Sequence, residues 1–228
     1  MFKKNIINFL FLCTLCFQIL NANLLNRESK NFIIRDDYYV QENFRNEEEL
    51  LEFIESIIQT HMIPGLSIAI VKNNSIVWEN YFGYSNLNES ILVDEDSMFI
   101  LSSISKTITA TALLQLYEDG LIDLDDDIND YLSFNVYNPN YPLSTITFKM
   151  LLSHVSSIKD NWSVMPYYNG DSDLELGYYL EQYLTTGGLF FDNSSNFTNS
   201  IPGSEFSYSN IGAALIGFLV EEISNQPF

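Results

Sequence analysis

Between residues 46 and 82 the spacing of apolar positions changes from helical to alternating. Leu50, Ile54, Ile57 and Ile58 recur at helical intervals. Asn46 precedes them, with Glu49 three residues on, a variant of the capping box. The spacing predicts a helix that ends before Pro64-Gly65. The period then drops to two. Leu66-Ser67-Ile68-Ala69-Ile70-Val71 alternates, and Ile76 to Phe82 follows across Lys72-Asn73-Asn74-Ser75. Two such runs with a short Asn-rich connection predict a hairpin. Tyr84 to Asp96 is polar and predicts no element. A helix is expected from Ser103 to about Asp119-Gly120, where glycine can end it. From Leu121 to Ser200 the pattern predicts helices and loops without a strand pair. One short helix, capped by Thr147, runs through Leu152, another covers Leu174 to Leu184, and Gly187 to Ser200 reads as loop. After Pro202-Gly203, Asn210 to Ser224 predicts a last helix that buries Ile211, Leu215, Phe218, Leu219 and Ile223. A lone hairpin is marginal as a sheet, so the expected sheet needs further strands.

The start of the chain follows a different rule. Lys3 and Lys4 precede the apolar run Ile6 to Leu20 and then Asn21-Ala22-Asn23. That is the layout of a signal peptide over residues 1–22, cut near Ala22, and the run is short for a membrane-spanning helix. Residues 23–45 form a polar lead-in, and 46–228 the folded domain. With 46% apolar residues over the whole chain, a sizeable core can be buried. Cys13 and Cys16 both lie in the leader, which leaves a secreted chain without disulfide, thiolate nucleophile or Cys-based metal site. With only two histidines, no cofactor or zinc site is expected. The net charge is −20, and the leader carries basic residues only, so the remainder is more acidic still. That excludes nucleic acid, and anionic membrane surfaces after leader cleavage, as partners. The acidic run Asp123 to Asp127 lacks the glycine and closing glutamate of an EF-hand loop and reads as a solvated turn. N-x-S/T sequons at Asn73, Asn88, Asn161, Asn193 and Asn196 point to exposed loops of a glycoprotein.

The chemistry lies in two short segments. Ser103 stands three residues before Lys106 at a helix start, which puts a hydroxyl and an amine on one face, one turn apart. An amine so placed can take the proton of a nucleophilic serine. Tyr208-Ser209-Asn210 opens the last helix. Neither pattern is specific alone. Ser156-Ser157-Ile158-Lys159 also reads S-x-x-K, but in a polar loop with no helix to align it. Order and context carry the signal: Ser103 follows Phe99-Ile100-Leu101-Ser102 and opens a long helix, and Tyr208 follows a Pro-Gly turn.

From about Glu47 to Phe228 the chain resembles the serine β-lactamase-related family of class C-type β-lactamases, D-alanyl-D-alanine peptidases and esterases. His61-Met62-Ile63-Pro64-Gly65-Leu66-Ser67 resembles the family's opening before its first strand. Ser103 to Lys106 is similar to its nucleophile motif, and Met150-Leu151-Leu152-Ser153-His154 to its Leu-Leu-x-His segment. Pro202-Gly203 through Tyr208-Ser209-Asn210 and Gly217 resembles its second motif and following helix. The resemblance implies an α/β (α+β) fold, an antiparallel sheet flanked by helices plus a helical lobe, and acyl transfer on a small-molecule or peptide amide or ester. Ser103 would attack, Lys106 would help deprotonate it, Tyr208 would share the proton traffic, and Asn210 would orient substrate or Lys106. Ser103's own backbone N–H would be one oxyanion donor. His154 is expected to be structural.

Two departures qualify this. Val155-Ser156-Ser157 stands where the family has Thr-Ser-Gly, so a Cβ must fit where the backbone favours glycine. The family's third motif, Lys- or His-x-Gly on the strand lining the site, is expected downstream of Phe228 with the strands that complete the sheet. The expected product is therefore an incomplete domain lacking its C-terminal strands. It is either the first part of a secreted serine hydrolase or a catalytically inactive truncated protein or binding module.

Overall fold

The computed structural model describes residues 46–165, 170 and 172–228; the expected leader and lead-in lie outside the described residues. The chain divides into two compact units at Ser97/Met98.

In the first unit, helix α1 spans Glu47–His61. The side chain of Asn46 accepts the Glu49 N–H at 2.9 Å. Glu47, Glu48 and Glu49 fill the first turn, where the helix dipole favours negative charge. Met62 closes the helix in the left-handed conformation (φ 51°). Strands β1 (Gly65–Lys72) and β2 (Ser75–Asn86) pair antiparallel from Gly65↔Gly83 to Lys72↔Ser75. Asn73 and Asn74, the two turn residues, both take positive φ, 51° and 60°. This is the turn whose twist matches that of paired strands, and asparagine tolerates it best after glycine. A third strand, β3 (Ile91–Leu92), pairs with the end of β2, Tyr84 opposite Leu92 and Asn86 opposite Ile91. The polar reading of residues 84–96 is thereby corrected: two apolar residues are too few to show an alternation. The sheet runs β1-β2-β3, with β1 as an edge strand among the described residues. Ile54 and Val93 are the buried apolar residues here.

The second unit holds the larger core. A 3₁₀ turn, Ser102–Ile104, leads into α2 (Ser105–Glu118), and Gly120 (φ 72°) follows where the helix stops. Helices α3 (Phe148–Leu152), α4 (Leu176–Leu184), α5 (Asn193–Asn196) and α6 (Asn210–Ser224) complete it. Thr147 caps α3 through its hydroxyl, as its position before the apolar run predicts. The short α5 replaces part of the expected Gly187–Ser200 loop; its four polar residues are set by the Asp192 cap rather than by an apolar stripe. Helix α6 is the centre. It is buried on nearly every side from Ile211 to Val220, and α2, α3 and α4 pack against it. Ile223, expected in the core, is only partly buried. Leu113 and Leu116 of α2, Phe148 and Leu151 of α3, and Leu180 and Tyr183 of α4 meet Leu215 and Leu219 of α6 in one cluster. No helix among the described residues is long and apolar enough to cross a membrane.

Candidate active site

The site sits where the first turns of α2 and α6 meet. Ser102, just before the nucleophile candidate, takes φ 47°, a left-handed conformation that costs a non-glycine residue about 1–2 kcal/mol. Ser103 follows in the 3₁₀ turn, and Lys106 lies one turn on. Lys106 Nζ donates to Ser103 Oγ at 3.4 Å, a long contact of the kind unliganded sites show. From the other helix, Tyr208 Oη donates to Ser103 Oγ at 2.9 Å. Lys106 Nζ also donates to Asn210 Oδ1 at 2.6 Å and stands 5.0 Å from the centre of the Tyr208 ring. All four residues singled out by sequence, Ser103, Lys106, Tyr208 and Asn210, therefore converge, although more than a hundred positions separate the two pairs. Ser103 is exposed and Tyr208 is 44% exposed, so a reactant can reach the hydroxyl pair.

The N-terminus of α6 holds Tyr208 and Asn210 in place. Ser209 is the cap, its Oγ accepting the Gly212 N–H at 2.9 Å. Asp160, which sequence reasoning did not single out, supplies the remaining acceptors. It takes the backbone N–H of Asn210 at 2.8 Å and of Ile211 at 3.1 Å, and the Ser209 hydroxyl at 3.1 Å. Its Oδ2 also accepts Asn210 Nδ2 at 2.7 Å. A single aspartate in a polar loop carries no spacing signal; only the fold shows that Lys159-Asp160 ends beneath α6.

His154 stands behind the tyrosine. Its ring lies 4.6 Å from that of Tyr208 and 6.0 Å, edge-on, from Phe206. Nδ1 accepts the Ser209 N–H at 3.3 Å, which assigns the neutral ring a proton on Nε2. Burial, and after it the charge of Lys106, lowers the His154 pKa below its ordinary value against a smaller opposing pull from Asp160. A buttress for Tyr208 agrees with the structural role expected of it. Ser157, at the departure from Thr-Ser-Gly, takes φ 67°, so the position has the left-handed backbone that favours glycine. Among the described residues no three His, Cys, Asp or Glu side chains form a group able to hold a metal ion.

A serine hydroxyl contacting both a phenol and an amine is equipped for acyl transfer. The family comparison agrees in extent with this constellation. A family model described as Beta-lactamase matches residues 45–228. The chain belongs to the beta-lactamase family.

Within that family it is 27% identical over 183 residues to "Protein flp" of Staphylococcus aureus (strain MRSA252), a match covering 80% of this chain and 34% of that protein. The chain thus spans about a third of the length of the curated relatives it matches. Two solved structures share the beta-lactamase fold. The D-amino acid amidase of Ochrobactrum anthropi SV3 superposes with a TM-score of 0.59 at 22% identity, over 78% of this chain and 46% of its own. EstCE1, "a hydrolase with promiscuous acyltransferase activity", superposes with a TM-score of 0.61 at 20% identity, over 79% and 48%. The helices and antiparallel sheet described above are the part of the beta-lactamase fold present here.

Proposed function

We propose that this chain carries the nucleophile-bearing part of a secreted serine hydrolase that cleaves a small amide or ester through a Ser103 acyl-enzyme. One observation carries the reading: Ser103 Oγ is in contact with Tyr208 Oη and Lys106 Nζ at once. Tyr208 donates to that oxygen, so the serine proton leaves toward Lys106, whose amine must be neutral to accept it. The oxygen attacks the substrate carbonyl carbon, and the N–H of Ser103 faces the developing oxyanion. The proton then passes through the Lys106–Tyr208 pair to the departing amine or alcohol, and water hydrolyses the acyl ester by the reverse traffic. The D-amino acid amidase and the hydrolase with promiscuous acyltransferase activity among the structural relatives support the reading. Secretion rests on the leader pattern Lys3 to Ala22.

The test is labelling with a fluorophosphonate, which forms a bond from Ser Oγ to phosphorus and releases fluoride. The expected product carries one phosphonyl group, on the peptide containing Ser103. Ser103→Ala should show none, and Lys106→Met should slow the reaction by roughly 10²–10⁴. Label that persists in Ser103→Ala, or that sits on Ser156, removes Ser103 from the mechanism. A folded protein that takes no label would favour the binding-module reading.

A further inference from the structure

We propose that Asp160 is the positioning residue of this site: it fixes which end of the Asn210 amide faces Lys106, and so where the amine stands relative to Ser103. The proposal rests on the serine-hydrolase reading for its consequence in rate, but not for its geometry.

The geometry leaves little choice. An ionised carboxylate only accepts hydrogen bonds, and an amide has one accepting and one donating end. Asp160 Oδ2 lies 2.7 Å from one end of the Asn210 amide, which must therefore be the NH₂. The carbonyl end is then turned to Lys106 Nζ, 2.6 Å away. With the amide reversed, NH₂ would meet the Lys106 N–H that now donates to the carbonyl, donor against donor, and the carbonyl would meet the carboxylate. Asp160 excludes that state from both sides. It cannot itself drift, because three further donors hold it: the N–H groups of Asn210 and Ile211 and the hydroxyl of Ser209. The chain Asp160–Asn210–Lys106–Ser103 is thus a directed relay, anchored to the N-terminus of α6 where negative charge is favoured. The hydrogen bonds of Asp160 go to Ser209, Asn210 and Ile211, so it acts on Lys106 through Asn210.

Asp160→Asn is the discriminating variant. An asparagine here can still accept the α6 N–H groups through its oxygen, but its own NH₂ then points at the Asn210 amide and favours the reversed state. The expected crystal structure of Asp160→Asn shows Lys106 Nζ more than about 3.5 Å from any Asn210 acceptor. The saturating rate of Ser103 phosphonylation should fall tenfold or more, with the half-saturating probe concentration within twofold of the parent. A purely structural loss of the cap would move both parameters together with the melting temperature. If Asp160→Asn does not fold, Asp160→Ser, whose single hydroxyl cannot bridge the α6 N–H groups and the Asn210 amide at once, takes the same measurements. A retained short Lys106–Asn210 contact, or an unchanged saturating rate, overturns the proposal. If the parent itself is not labelled at Ser103, the hydrolase reading fails, and the Lys106–Asn210 distance in the variant still decides the role of Asp160.

Discussion

Ser157 shows how one side chain can hold a backbone it is ill suited to. It is buried with φ 67°, and its Oγ accepts Asn138 Nδ2 at 3.0 Å. The left-handed conformation costs about 1–2 kcal/mol without glycine, and the hydrogen bond returns about 0.5–1.5 kcal/mol. Ser157→Gly removes both terms, and Asn138 Nδ2 keeps the Thr198 carbonyl at 2.9 Å. Its unfolding free energy should match the parent within about 0.5 kcal/mol, since a glycine also loosens the unfolded chain. Ser157→Ala keeps the strain and loses the bond, and should be less stable than the parent by about 1 kcal/mol. An alanine variant more stable than the glycine variant would contradict this account. The same residue marks the reach of sequence reading. The need for a glycine-like backbone was legible as a departure from Thr-Ser-Gly; the compensating Asn138, distant along the chain, was not. Ser103, Lys106, Tyr208 and Asn210 were legible because each lies within a short motif opening a helix. Asp160 was not, because the four donor groups that meet it lie 49 to 51 positions away along the chain.

At the scale of elements, the long periodic segments and the Thr147-capped α3 were read correctly, whereas β3 and α5 were missed. Helix α6 was expected over its observed span, since nine of its residues are buried and the apolar pattern is dense. Strand β3, two residues long, and α5, four polar residues long, depend on a partner strand and a cap respectively. Ser103 also stands in a 3₁₀ turn rather than in the α-helix proper, a distinction of one hydrogen-bond step that spacing cannot resolve. The packing of α4 on α6 gives a sharp test. Phe218 stacks on Phe134 with centroids 5.9 Å apart, and Gly177 at the start of α4 leaves room for its ring. A Cβ at Gly177 would lie 2.5 Å from the nearest Phe218 ring carbon. Helix propensity alone favours Gly177→Ala by about 1 kcal/mol. Overpacking of a filled core costs about 1–3 kcal/mol, so the variant should be destabilised on balance. Urea unfolding that shows a more stable alanine protein would mean that Phe218 moves freely.

For the molecule as a whole, the shifted groups set the pH range over which the fold is most stable. His154 is lowered by burial first, Asp126 by the Tyr131 hydroxyl first, and Asp192 by the Ser194 hydroxyl first. Each therefore binds a proton less readily folded than unfolded. Their stabilisation is complete above the unfolded values, about 6.5 for histidine and about 3.9 for aspartate, and is lost as pH falls through the folded ones. Tyr131 is pushed up to about 12, chiefly by its bond to Asp126, so its stabilisation is present below pH 10 and lost between there and about 12. The melting temperature should hold from about pH 7 to 10 and fall on both sides, the acid limb starting near pH 6.5 with His154. A His154→Gln variant should delay that first decline; an identical acid limb would remove His154 as its cause. The separation of the site's two halves has a kinetic consequence. The β1–β2 hairpin closes a two-residue turn, a microsecond event. The Tyr208–Ser103 contact joins positions 105 apart, and so large a loop must be closed before the contact repays it. Until α6 docks on α2, Ser103 has Lys106 one turn away but lacks Tyr208, and Lys106 lacks Asn210. The full Ser103–Lys106–Tyr208 arrangement therefore forms only once this long loop is closed, so a chain still short of α6 holds half of it.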